Sequence, residues 1–165
     1  MKSVVRFLVL PGLFIGLFGG CSQKAEPKPI TYSQLLTGLT QKSWRLVSII
    51  EIDQGQSSGV ITPAEYGIPA CFADNLYTFY ANDERKYELG GGPTKCRSAE
   101  PDVLFTDTWT LINANASLKF VFPIVAGESI PFIIKTLTKD VLTIEYYFED
   151  INASYRYTLN ATTTK

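Results

Sequence analysis

"PFIIKTLTKDVLTIEYYFEDINASYRYTLN", residues 131–160, contains three runs rich in β-branched and aromatic residues, separated by short polar breaks. PFIIKTLT (131–138), VLTIEYYF (141–148) and SYRYTLN (154–160) read as strands, with Lys139-Asp140 and Glu149 to Asn152 as the turns between them. Neither break is long enough for a helical crossover. Consecutive strands must therefore reverse direction, which predicts an antiparallel meander.

The same pattern extends toward the N-terminus. WRLVSIIEI (44–52) places Trp44, Leu46, Ser48, Ile50 and Ile52 on one face and Arg45, Val47, Ile49 and Glu51 on the other. NLYTFY (75–80), RKYEL (85–89), TDTWTLIN (106–113) and SLKFVF (117–122) follow as further strands. The count is eight, which predicts an all-β fold: an eight-stranded antiparallel up-and-down barrel whose closure removes free edges. TYSQLLTGL (31–39) is weakly amphipathic and predicts one short N-terminal helix capped by Thr31 or Ser33. DQGQSSGVITPAEYGIPA (53–70) and GGGPTKCRSAEPDV (90–103) read as loops, and loops of this length are commonly functional.

Alternation also nominates a barrel lining: Trp44, Leu46, Phe79, Tyr87, Trp109, Leu111, Phe120, Phe122, Phe132, Ile134, Leu142, Ile144, Tyr146 and Tyr157. Eight strands lie at the size where side chains either fill the interior or leave room for one small molecule.

Composition narrows the function classes. At 45% apolar and 19% charged the chain is that of a folded domain, and 165 residues suffice for one core. A net charge of −1 without a basic cluster gives no footprint for nucleic acid. The chain has no histidine, which removes Ser/His and Cys/His nucleophilic chemistry. The acidic pairs Asp83-Glu84 and Glu149-Asp150 fall in expected turns, where solvated carboxylates are common. The sequence thus predicts a non-enzymatic protein without catalytic residues, metal site or cofactor.

The N-terminal stretch has the parts of an export leader. Lys2 and Arg6 precede the apolar FLVLPGLFIGLFGG (7–20), which is short for a bilayer span and is interrupted by Pro11, Gly12 and Gly16. Gly19-Gly20-Cys21 resembles a bacterial lipoprotein lipobox. That resemblance implies a signal peptide over 1–20, acylation of Cys21 and a lipidated tether over 21–30, whose SQKAEPKPI is polar and proline-bearing. Ser22 after the cysteine implies, by the same resemblance, the outer membrane, with the periplasmic or surface face left open. With Cys21 assigned to lipid, Cys71 and Cys96 remain as an even pair in an oxidising compartment, which favours a structural disulfide over a reactive dithiol or half of a metal site.

The order of elements over 35–160 carries a further resemblance. A tryptophan strand, then CFADNLYTFYANDERKYELGGGPTKC, DTWTL, FIIKTLTKDVLTIEYYF and YRYTL is similar to the lipocalin-like lipoproteins of Bacteroidetes-type bacteria. The resemblance implies a lipocalin-like barrel over 31–165 and pairing of Cys71 with Cys96. Lys42 stands where the Gly-x-Trp signature of true lipocalins has glycine. Arg156 either stacks over Trp44, as the resemblance implies, or is exposed. Two functions follow as expectations: a lipid-anchored envelope protein binding a small apolar molecule or glycan fragment, or a structural or interaction lipoprotein that meets another envelope protein through its loops.

Overall fold

The computed structural model describes residues 29–162. Cys21, the leader and the tether through residue 28 lie outside the described residues, so their assignments are not addressed by the fold. Among the described residues no helix is long and apolar enough to cross a membrane.

The chain opens with the short helix α1 (Tyr32–Thr37). Thr31 caps it: its Oγ1 accepts from the Gln34 N–H, and Gln34 Oε1 accepts from the Thr31 N–H. Ten strands follow among the described residues: β1 (Gln41–Asp53), β2 (Gln56–Ser57), β3 (Leu76–Tyr80), β4 (Lys86–Gly90), β5 (Val103–Thr108), β6 (Thr110–Ile112), β7 (Ser117–Val121), β8 (Ser129–Leu137), β9 (Val141–Phe148) and β10 (Ala153–Thr162). The four-residue helix α2 (Ala70–Ala73) precedes β3. All strand pairings are antiparallel, in the order β5-β4-β3-β1-β10-β9-β8-β7-β6, with β2 folded back on β1. The sheet is therefore a meander that curls into a nearly closed, barrel-like form, with β10 returning to β1.

The count of eight strands is corrected to ten, for two reasons. Asp53 and Gln56 pair across a tight turn at Gln54 and Gly55, whose φ values of 47° and 79° suit a two-residue hairpin, so β2 forms inside the expected loop. The expected strand 106–113 begins earlier and is two strands. Up to Thr108 it pairs with β4, and from Thr110 it pairs with β7. Trp109 is the switch point: its backbone N–H still reaches the Arg85 carbonyl at 2.8 Å on the β4 side, and the next residue has changed partner. The ring of strands is thus completed by the covalent chain through Trp109.

The interior is packed. Trp44, Phe79, Tyr87, Phe120, Phe122 and Phe132 are fully buried, and Phe120 touches Phe79, Tyr87, Phe122 and Phe132 at centroid distances of 5.3, 5.4, 5.6 and 5.3 Å. These edge and tilted contacts are the favoured aromatic geometries, and they leave little free volume along the barrel axis. α1 closes one end. Leu36 is fully buried, and the Trp44 indole N–H donates to its carbonyl at 2.9 Å. Lys42 Nζ donates to the carbonyls of Leu35 and Lys139, at 2.5 and 3.1 Å, and lies 5.0 Å from the Trp44 ring. Burial holds its ammonium below the ordinary lysine range. The cation over Trp44 is therefore Lys42; Arg156 instead binds Glu145 Oε2 through Nε and Nη2, at 2.9 and 2.8 Å, across the β9–β10 ladder.

Candidate functional site: an apolar cleft at the barrel mouth

The end away from α1 is shaped by two loops and a disulfide. The loop after β2 is tied to the barrel by a two-way bridge between Ile49 and Ile61, at 2.8 and 2.9 Å. It then turns at Thr62, whose N–H and hydroxyl both donate to Glu65 Oε2 at 2.8 Å. Those bonds lower the affinity of Glu65 for its proton. Ile68 N–H closes the turn on the Pro63 carbonyl at 2.9 Å, with Gly67 at φ 90°. This geometry carries Tyr66 and Ile68 over the barrel mouth.

The second loop is pinned by Cys71 and Cys96, which form a disulfide with a Cα–Cα distance of 5.2 Å. The Thr94 N–H donates to Asp74 Oδ2 at 2.8 Å, and the Cys96 N–H donates to Glu100 Oε2 at 2.9 Å. Gly92 passes so close to Asp74 that a Cβ there would collide with its backbone carbonyl as well as its side chain. The disulfide thus anchors α2, and α2 presents Phe72 to the mouth, 49% exposed.

Between the first loop with α2 and the residues that follow β7 lies a cleft of about 370 Å³, walled by Tyr66, Ile68, Phe72, Tyr77, Leu89 and Leu104, with Asn75, Pro123 and Ile124 among its other lining residues. None of its lining residues is charged. Tyr77 and Leu89 are register partners on β3 and β4, and Tyr77 lies 5.0 Å from Phe122 in the packed core below. Burial pushes the Tyr77 phenol well above its ordinary range. At the rim Tyr66 meets Tyr155 edge-on at 6.1 Å, and burial together with the Glu51 carboxylate pushes the Tyr155 phenol up to about 12.

The residues nominated from alternation occupy the body of the barrel. Trp44, Leu46, Phe79, Tyr87, Trp109, Phe120, Phe122, Phe132, Leu142, Ile144 and Tyr157 are buried; Leu111, Ile134 and Tyr146 are half-buried against the same cluster. None of them lines the mouth cleft. The cleft residues Tyr77 and Leu89 lie one alternation beyond Phe79 and Tyr87, so extending the same pattern toward the strand ends was the signal for them. Ile68, Phe72 and Ile124 sit outside strands, where period two has nothing to register.

Trp109 and Leu111 instead border a second, more polar cleft of about 320 Å³ at the α1 end, where the Arg85 guanidinium sits 5.7 Å from the Trp109 ring. Among the described residues no group of three His, Cys, Asp or Glu side chains is placed to hold a metal. The Asp83-Glu84 and Glu149-Asp150 pairs are exposed, the latter in a single 3₁₀ turn. No protein-family model matches the sequence, and no curated protein matches it.

Proposed function

We propose that this is a lipid-anchored envelope lipoprotein with a lipocalin-like barrel, which holds one small apolar molecule in its mouth. The observation that carries the binding reading is the uncharged, largely apolar cleft of about 370 Å³ beneath the 53–70 loop and the disulfide-anchored α2. Its volume is at the small end of ligand sites, which suits a molecule of one or two rings or a short chain. Because the aromatic cluster fills the barrel body, the ligand stops at the level of Tyr77 and does not enter the interior. A meander barrel sealed at one end by a short helix supports the lipocalin-like assignment. The leader, with Gly19-Gly20-Cys21, supports the lipid anchor, and Ser22 after the cysteine supports an outer-membrane address.

The filled interior together with the exposed rim residues Tyr66 and Phe72 favours a second reading, in which the same rim meets another envelope protein. Titration of the purified protein with the lipophilic fluorophore N-phenyl-1-naphthylamine separates the two. Saturable enhancement that is lost in Leu104→Arg supports ligand binding. The absence of any saturable signal removes it and leaves the interaction reading.

A further inference from the structure

α1 stops at Gly38, whose N–H donates to the Gln34 carbonyl at 2.9 Å and whose φ of 66° takes the chain out of the helix. The next residue, Leu39, is left 84% exposed, the highest value of any large apolar side chain among the described residues. Ile30, just before the Thr31 cap, is 65% exposed. Neither belongs to the core cluster, so packing does not explain them. Both line one shallow depression of about 220 Å³, together with Leu35, Lys42 and Lys139. Single exposed apolar residues are ordinary, but an apolar patch rimmed by charge marks a contact surface.

The point where the chain enters the barrel decides what covers that patch. Eight residues, 22–29, separate Cys21 from Ile30. Fully extended, they keep Ile30 within about 30 Å of a lipid-bearing Cys21, and the tether joins the domain inside the patch itself. The flanking charges suit the same neighbour: Lys139 is exposed and Lys42 lies beside it, with the Asp140 carboxylate close by. At a bilayer surface apolar side chains enter the acyl boundary, while lysine ammonium groups stay among the headgroups. We infer that the α1 end of the barrel docks on the bilayer that holds its lipid anchor, with Ile30 and Leu39 at the headgroup boundary and the mouth cleft opening away from the membrane. This rests on the lipid-anchor reading proposed above, and specifies the orientation in which the domain is held.

A bimane fluorophore on one introduced thiol tests it. With Cys21 acylated and Cys71 joined to Cys96, Leu39→Cys and Ile151→Cys each supply a single site for the label. Ile151 is 57% exposed in the turn beyond the far end of β9, about 25 Å along that strand from the Lys139-Asp140 turn. Both side chains are exposed, so neither variant disturbs the core. The full chain, expressed with its leader in a bacterial host, is reconstituted into vesicles of phosphatidylethanolamine and phosphatidylglycerol. A doxyl-labelled lipid serves as the membrane quencher, and iodide on both sides of the vesicle as the aqueous one. The label at 39 should be quenched by the doxyl lipid from a depth of about 5–10 Å into the headgroup boundary. It should also lose the iodide quenching that it shows when Leu39→Cys is combined with Cys21→Ser in solution. The label at 151 should stay open to iodide and be unaffected by the doxyl lipid. Iodide quenching at 39 that persists in vesicles, or doxyl quenching at 151 as strong as at 39, overturns the docking while leaving the anchor intact. So does a label at 39 that iodide cannot reach in the soluble Cys21→Ser form, since the patch is then covered by the protein's own tether or a second copy. If the chain does not associate with the vesicles, the lipid-anchor reading fails and the inference fails with it.

Discussion

The indole N–H of Trp44 donates to the carbonyl of Leu36 across 2.9 Å, and both residues are fully buried. A six-residue helix has no independent stability in water, so α1 exists as the cap of the barrel because this bond and the Leu36 side chain hold it there.

Trp44→Phe keeps an aromatic ring in the core and removes the donor. It should cost about 1–3 kcal/mol, the range for stranding a buried acceptor, with added loss from the smaller ring. Hydrogen exchange should accelerate first in α1, before the β1–β10 ladder is affected. Unchanged protection of α1 would contradict its dependence on Trp44.

The disulfide closes a sequence separation of 25 residues. Replacing both Cys71 and Cys96 by alanine should lower stability by about 3–4 kcal/mol on the chain-entropy scale, measured by denaturant unfolding. Because the bond anchors α2 and Phe72, affinity for N-phenyl-1-naphthylamine should fall even under conditions where the variant remains folded. Loss of stability with unaltered probe affinity would show that α2 does not shape the cleft.

Alkaline pH should unfold the protein through its tyrosines. Tyr80 and Tyr155 are pushed up to about 12, chiefly by burial and then by the Glu88 and Glu51 carboxylates. Burial raises Tyr77, Tyr87 and Tyr157 further still. In the unfolded chain these phenols ionise near their ordinary 10.0, while the folded chain still holds its protons. Stability from this source is thus complete below about pH 10 and declines through about pH 12, since over that window the unfolded state binds fewer protons. Thermal melts at about pH 9 and about pH 11 should show a marked drop in Tm, with the phenolate absorbance of these five tyrosines appearing together with unfolding. Phenolate absorbance of all nine tyrosines reached by a still-folded chain would refute the burial of these hydroxyls.

Membrane attachment should depend on one sulfur. Expressed with its leader in a bacterial host, the native protein should partition into the detergent phase, and Cys21→Ser should move it to the aqueous phase. Several acyl chains on one terminus supply an effectively permanent anchor, since each buried CH₂ contributes about 0.8 kcal/mol. Detergent-phase recovery of Cys21→Ser would remove the lipoprotein reading.

Much of the meander was legible because β-strand burial leaves a period of two in sequence. The expected strand 141–148 matches β9 in both bounds, and 75–80 differs from β3 by one residue. The partner switch at Trp109 was not legible: the chain stays extended on both sides of it, and a change of hydrogen-bonding neighbour leaves no mark on composition. β2 was hidden because both of its residues are exposed and polar, although the Gln54-Gly55 turn was a usable signal. The site was the least legible part. Pattern reading found the residues that fill the barrel, but the cleft is made largely where strands end, by loop residues whose positions depend on the Ile49–Ile61 bridge and the Cys71–Cys96 bond.

The most direct test of the binding account is a map of amide chemical-shift changes as N-phenyl-1-naphthylamine is titrated into isotope-labelled protein. Saturable shifts should concentrate at Tyr66 to Tyr77, Leu89, Leu104 and Ile124, with the amides around Phe120 and Phe132 in the filled body little changed. Shifts centred on those interior residues, or an absence of saturable shifts at the mouth, would contradict it.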